Sequence, residues 1–469
     1  MRLRPGPGFS RFELPGRELP EQSSTSTYYD TEDLRLAAGS ITLRQCVPDE
    51  GGAAVWQLDL RRDGDRLERE WDAPDPGAGP PEDAARIVLA HTRGHPLVAV
   101  ATLRTRRAGV VVEDVGVDVA RVVVDAIEVV DGRGTLDEFE EIRVELAEGD
   151  SRAVRKLERR LRRAGAVDAD GRPEILLALD ASIGGHGAEA GDSLTAALRR
   201  NYRAILDHDP GTRLGDDPEE LHDHRGAIRR LRELLRAGRP LVDRTWADGL
   251  RQALRPAGRE LANVRDLDVV LADLQRQAAS LPDMERAGST DVVERVRRRR
   301  DRAQAELVAA LSEPWYVSAL NRLEVAVAEP RREKGGSVAK VVRKEHRRSR
   351  RLVRHLADDP ADTDLHRVRK AIKRARYAAE LADAARVSGM HGYAKRAKAV
   401  QDVLGEHQDA VVATEVLRSV DAELERPMAH LAVAALLGMQ EARKRAARAA
   451  FPKAWRRLDD RSRSLTRET

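Results

Sequence analysis

Two stretches of this chain carry the same basic pattern. Leu221-His222-Asp223-His224-Arg225-Gly226-Ala227-Ile228-Arg229-Arg230-Leu231-Arg232 recurs as Leu365-His366-Arg367-Val368-Arg369-Lys370-Ala371-Ile372-Lys373-Arg374-Ala375-Arg376, at an offset of 144 residues. On a helix, His222, Arg225, Arg229 and Arg232 fall at i, i+3, i+7 and i+10, which is one face. His366, Arg369, Lys373 and Arg376 form that face in the second copy, and Lys370 and Tyr377 widen it. Arg230 and Arg374 also match between the copies. Like charges one turn apart repel, so folding gains nothing from such a stripe unless an anion neutralises it. The only carboxylate within the first motif, Asp223, sits on another face. Arginine suits phosphate, because its planar fork donates two hydrogen bonds and stays charged. A row of cations matches a row of phosphates, and steep salt dependence is expected. Each leading histidine would bond phosphate or a helix end, with some pH sensitivity. A metal is not expected, since neither face offers a second suitably placed ligand and His224 points elsewhere. A single stripe would read as arginines snorkelling on a surface helix. Its duplication, each copy led by a histidine, favours a binding face.

The elements that must hold these faces repeat as well. The preceding helices pair Arg199 with Arg343, Arg200 with Lys344 and Arg203 with Arg347 at the same offset. Lys340, Arg343, Lys344, Arg347, Arg351 and Arg354 make a third basic stripe. Further on, Leu261…Arg265-Asp266 matches Leu404…Gln408-Asp409 at an offset of 143, a small loop difference. From Asp192 onward Leu, Ala and Val recur at helical spacing, and Gly335-Gly336 breaks the region near its middle. This predicts a helical domain over 193–460, with pseudo-symmetric halves at 193–330 and 336–460, each a four-helix bundle. Residues 1–165 read as β structure. Ser40–Leu43, Val55–Leu60, Leu97–Leu103, Val110–Val112, Arg121–Val130 and Phe139–Leu146 are short β-branched or alternating runs separated by Pro and Gly. An antiparallel sheet or barrel is expected, followed by a basic helix over Ser151–Ala164 with Ser151 as N-cap. Residues 166–192, with the Gly- and Ala-rich stretch Gly184–Gly191, read as a linker. The fold class is α+β, multidomain.

Bulk properties narrow the partner. The 469 residues carry a net charge of +4, with 35% charged and 3% aromatic residues. Residues 1–150 hold 18 Lys and Arg against 30 Asp and Glu, and the remainder 65 against 49, so the net is −12 in the first part and +16 in the rest. A basic part calls for an anionic partner. Scarce aromatics argue against base stacking, and no helix-turn-helix or zinc-finger pattern supports duplex reading. One cysteine, Cys46, fits a reducing compartment. No apolar run is long enough to span a membrane, and the first ten residues do not resemble a secretion signal. A cytoplasmic protein is expected; the oligomeric state stays open.

The His-x-x-Arg-x-x-x-Arg-Arg-x-Arg helix, its second copy, Arg265-Asp266-Leu267-Asp268 and Gln401-Asp402-Val403-Leu404-Gly405 resemble the CHAD family, the conserved histidine α-helical domain. The resemblance implies two four-helix bundles around a basic cavity that binds inorganic polyphosphate, and association with polyphosphate granules. The N-terminal part resembles the CYTH or triphosphate-tunnel fold through Tyr28-Tyr29-Asp30-Thr31, Leu43-Arg44, Trp56-Gln57-Leu58, Leu103-Arg104-Thr105-Arg106-Arg107 and Glu141-Ile142-Arg143-Val144-Glu145-Leu146. That family implies triphosphate hydrolysis with carboxylate-held Mg²⁺ or Mn²⁺. Here Phe9-Ser10-Arg11-Phe12-Glu13-Leu14 stands in place of the expected Glu-x-Glu-x-Lys strand. Asp59 replaces a lysine, and Arg143 replaces the middle glutamate of the last strand. Arg44, Arg104, Arg106, Glu141 and Glu145 remain, and are expected to pair with one another. A weak or dead triphosphatase is therefore expected, needing no metal. The alternatives are an active metal-dependent triphosphatase and non-specific nucleic-acid binding.

Overall fold

A computed structural model describes residues 2–6, 17–62, 65–75, 78–114, 117–131, 134–146, 151–169, 175, 178–179, 193–333 and 336–465. The chain divides into two compact units, Met1–Ala188 and Glu189–Thr469.

The first unit is built on an antiparallel sheet. Its strands are β1 (Arg2–Pro5), β2 (Arg17–Asp30), β3 (Ile41–Pro48), β4 (Val55–Arg62), β5 (Asp65–Asp72), β6 (Val98–Asp114), β7 (Val117–Asp131), β8 (Gly134–Leu146) and β9 (Ala166–Asp168). They lie in the order β5-β4-β3-β2-β6-β7-β8-β1-β9. The expected barrel is not closed: β5 and β9 are the two ends of the order and do not pair among the described residues. The edges explain this. β5 is dense in charge, which blunts pairing, and β9 is only three residues long. The residue run Tyr28-Tyr29-Asp30-Thr31 ends β2 and starts a short helix, α1 (Arg35–Ala38). Asp30 accepts from the amides of Thr31, Leu36 and Ala37 at 2.7, 2.9 and 2.9 Å. Burial pushes its carboxyl above the ordinary range, and these amides oppose the shift. Two further short helices, α2 (Glu82–Ile87) and α3 (Leu89–Thr92), precede β6. The basic helix α4 (Ser151–Arg163) sets Leu157 and Leu161 on Leu3, Ala120, Val122, Ile142 and Val144.

The segment expected as a linker begins inside this unit. β9 pairs with β1, and Ile175 is buried against Tyr28, Leu103, Ile127 and Val129. Its apolar residues complete a core that the strands leave open. Gly184–Gly191 and Phe9–Leu14 lie outside the described residues.

The second unit is helical. Its first half holds α5 (Ser193–Leu214), α6 (Pro218–Ala237), α7 (Arg244–Ala253), α8 (Arg255–Ala278), α9 (Asp283–Ser312) and α10 (Pro314–Ala328). Its second half holds α11 (Val338–Arg354), α12 (Asp362–Ala384), α13 (Met390–Asp421) and α14 (Pro427–Leu465). The second half has the expected four helices, and the first has six. At the repeat offset α13 covers both α7 and α8. Pro256 accounts for the split, since proline has no N–H to donate within a helix and its ring clashes with the preceding turn. At the same offset α14 covers α9 and the first part of α10. The halves share a core: Val270 and Leu274 of α8 meet Ala413 and Leu417 of α13, with Val292, Val296, Val433 and Leu436 from α9 and α14. Val270/Ala413 and Leu274/Leu417 are equivalent positions of the repeat, so the internal symmetry extends to packing.

Candidate functional site

The two His-led helices, α6 and α12, pack on each other. Each buries one stripe, Leu221, Ile228, Leu231 and Leu235 on α6 and Leu365, Val368, Ile372 and Ala375 on α12. The basic faces are left half-buried between them. Arg229 Nε of α6 donates to the Tyr377 hydroxyl of α12 at 3.3 Å, so the two basic faces touch. Around this contact Arg225, Arg229, Arg369 and Lys373 crowd together. Burial, then the Arg229 charge, pushes the Lys373 ammonium down to about 7, with Arg369 and Arg225 adding and Glu233 opposing. Burial also draws Arg225 and Arg369 below the ordinary guanidinium range, helped in each by Arg229.

The stripe is not as free of carboxylates as the motif alone suggested. Arg225 donates to Asp266 of α8 at 3.5 Å. Asp409 of α13 is the foremost charge opposing the shift of Arg369. Burial raises both carboxyls above their usual range while these arginines hold them down. Asp266 and Asp409 are equivalent in the repeat, and sequence distance hid them from the helical pattern. His222 and His366 also have equivalent surroundings. His366 Nδ1 is bonded to the Gln408 side-chain oxygen, and His222 lies near Arg265, the counterpart of Gln408. Burial is the first cause depressing both imidazoles. The Nδ1 of His222 is buried with no hydrogen-bond partner among the described residues.

The rest of the predicted set is spread outward. Arg232 is half-buried near Arg251 and Arg255. A Cβ on Gly258 would come within 3.1 Å of its Nη1, so the guanidinium lies close against the α8 backbone there. Arg376 lies over the Tyr377 ring, 4.8 Å from its centroid, and pairs with Glu380 at 3.0 Å. Arg374 weighs on Arg236, which extends the α6 face one turn further at i+14 from His222; continuing the stripe past Arg232 would have found it. Lys370 is exposed and close enough to His366 to depress it. Arg230 is exposed on the flank of α6. The basic residues of α5 and α11 are not among the charges that weigh most on the cluster. Arg199 donates to the Val327 carbonyl at 3.1 Å and fastens the end of α10. Arg200 and Arg203 are exposed on α5, and Lys340, Lys344 and Arg347 on α11, with Arg343 half-buried. The charges that weigh most on Arg225, Arg369 and Lys373 come from α6, α8, α12 and α13.

In the sheet unit, Asp125 of β7 is fully buried. It accepts from Arg107 at 2.8 and 3.1 Å and is paired with Arg143. Arg143 also lies 3.5 Å from Glu141. Arg44 donates to Gln57 at 2.9 Å and to the Tyr28 hydroxyl at 3.0 Å, and Arg104 lies 3.7 Å from Glu128. Arg106 lines a cavity of about 620 Å³ with Arg4, Glu128, Glu138 and Glu140. Arg44, Arg104, Arg107 and Arg143 are thus engaged within the sheet, through partners beyond the expected set.

Residues 196–418 match the family model of the CHAD domain. The helical unit is a CHAD domain. The chain is 28% identical over 440 residues to an uncharacterised protein of Mycobacterium tuberculosis, covering 85% of this chain and 82% of that one, in two strains. It also resembles the crystal structure of the CHAD domain from the plant Ricinus communis, with 26% identity and a TM-score of 0.47, over 57% of this chain and 90% of that one. A putative adenylyl cyclase from Hippeastrum, described as having a dominant triphosphatase activity, matches at 16% identity and a TM-score of 0.25, over 40% of this chain and 98% of that one. No helix among the described residues is long and apolar enough to cross a membrane.

The CHAD domain also contains a histidine whose role the motif did not reveal. His224, two residues after His222, is fully buried. Its Nδ1 lies 3.1 Å from the Thr212 hydroxyl and its Nε2 3.2 Å from that of Tyr316. Tyr316 donates to Asp209 at 2.8 Å, and Arg213 donates to the other oxygen of Asp209 at 2.6 Å. Burial pushes His224 down to about 4. This network ties α5, α6 and α10 together and leaves the ring no route to a ligand.

Proposed function

We propose that the CHAD domain binds inorganic polyphosphate across the α6–α12 face, with Arg225, Arg229, Arg369 and Lys373 at its centre. His222 and His366, Arg232, Arg236 and Arg374 flank that centre. The observation that carries this reading is the cluster itself. Two repeats bring four cations close together, burial disfavours the charge of Arg225, Arg369 and Lys373, and the carboxylates Asp266, Asp409 and Glu233 oppose it. Unrelieved like charge at low dielectric destabilises a fold. A chain of phosphates would relieve it at every cation and release counterions. Association with polyphosphate granules follows from the same affinity.

The sheet unit on this reading is a scaffold or accessory contact. A triphosphatase using Mg²⁺ or Mn²⁺ is the competing account. Against it, Arg143 puts a positive charge beside both Asp125 and Glu141. Titrations of the full chain with polyphosphate and duplex DNA, at matched phosphate and salt, separate the accounts. We expect clear preference for polyphosphate and no phosphate release in Mg²⁺ or Mn²⁺. Equal affinity for DNA would overturn the binding reading, and metal-dependent turnover would overturn the scaffold reading.

A further inference from the structure

We propose that the exposed face of α11 is a second contact track for the same ligand, along which a long polyphosphate chain continues beyond the α6–α12 cluster. This rests on the polyphosphate reading above. Lys340, Lys344, Arg347, Arg351 and Arg354 are all exposed. At roughly 100° per residue they fall within about 40° of a single line, and at 1.5 Å per residue they span about 21 Å. The opposite face, Val338, Val342, His346 and Ser349, is buried. The track therefore points outward.

Nothing in the described fold neutralises it. None of the five forms an ion pair with a described carboxylate. The contrast with α9 is direct. There Arg297 and Arg298 pair with Glu294, Arg295 and Arg299 with Glu423, and Arg300 with Asp268. A run of arginines on a helix is thus matched by acids in α9 and left unmatched in α11. Five like charges along one line repel. Lys340 adds to this by standing in the first turn, where the helix dipole disfavours a cation.

The other copy of this helix shows that packing does not require the stripe. α5 carries Ala196, Asp207 and Pro210 where α11 carries Lys340, Arg351 and Arg354. A helix in the same place in the first half folds with only Arg200 and Arg203 left of that line. The two cationic sets are near but separate. α11 packs against α12, and its inward Glu345 acts on Arg236 at the end of the α6 stripe. The half-buried cluster would hold a few phosphates, and the track would engage only a chain long enough to leave it.

The test compares the full chain with Lys344→Ala/Arg347→Ala/Arg351→Ala and with Arg229→Glu/Lys373→Glu. Each is titrated across a salt series with tripolyphosphate, long-chain polyphosphate and duplex DNA, and circular dichroism checks the fold. For the α11 variant we expect long-chain affinity to fall about tenfold or more. Its log–log salt slope should flatten by about 2, three contacts at about 0.7 each, with tripolyphosphate affinity unchanged. Unchanged long-chain affinity and slope would overturn the track, as would an equal loss for tripolyphosphate or a loss confined to DNA. Failure of the underlying reading would look different: no polyphosphate binding by the wild type, or full binding by the α6–α12 variant.

Discussion

Lys373 is the residue on which stability and binding pull in opposite directions. In the unfolded chain its ammonium titrates near 10.5, and in the folded domain near 7. Between those values the unfolded chain holds a proton that the folded one has released, so this group makes folding stability rise with pH across that window. Below about 7 it is charged in both states, and its burial penalty is present in full. Lys373→Met should therefore raise stability at neutral pH, by about 1 kcal/mol or more, and weaken polyphosphate binding; thermal unfolding and titration read the two effects. A variant that loses stability would contradict the account. A bound anion restores the charge, so its binding above pH 7 takes up a proton. Affinity is complete below about pH 7 and declines as pH rises, which calorimetry in buffers of different ionisation enthalpy detects as proton uptake. Affinity flat from about pH 6.5 to 9 would exclude this role for Lys373. His224 has the complementary behaviour. Its folded value near 4 lies below the ordinary 6.5, so the unfolded chain takes the proton first as pH falls. The stability due to its neutral, buried state is lost between those values, and His224→Gln should flatten that part of the pH–stability curve.

Among the elements, β7 and β8 carry an ion-pair network. Asp125 has no exposed side-chain area and compensates Arg143 and the half-exposed Arg107. Removing a partner from such a buried pair strands the remaining charge. Asp125→Ala should destabilise the sheet unit by about 2–4 kcal/mol, measured by denaturant unfolding; an unchanged midpoint would mean the pairing is idle. The network also marks a boundary of what the sequence could reveal. Arg143 was legible as a misplaced cation, but Asp125 is one acid in a β-branched run, and only strand register sets it beside Arg107 and Glu141. β2 escaped notice because its Glu-Gln-Ser-Ser-Thr-Ser-Thr stretch lacks the apolar alternation of a half-buried strand, and β5 because an edge strand can be almost wholly charged. β6, expected as two strands, is one, since Arg104 to Arg107 continue the pleat rather than interrupt it. The helical half read more directly. Its duplicated spacing located α6, α12 and their cationic faces, since 3.6-residue periodicity is local. The acids Asp266 and Asp409 and the buried role of His224 depend on tertiary contacts that spacing does not encode.

At the scale of the molecule, the repeat supplies a shared core and a shared cationic face by the same symmetry. Equivalent residues meet in both: Val270 with Ala413 in the core, Arg229 with the Tyr377 and Lys373 side of α12 in the face. The net charge of +4 is modest, so affinity should depend on this arrangement more than on bulk basicity. The most direct measurement is a titration of long-chain polyphosphate against the wild type and Arg229→Glu/Lys373→Glu, with helical content and melting followed in parallel. Two charge-assisted contacts at about 1.5 kcal/mol or more each predict at least a ~100-fold loss of affinity in a domain that still folds. A folded double variant that binds with wild-type affinity would contradict the account.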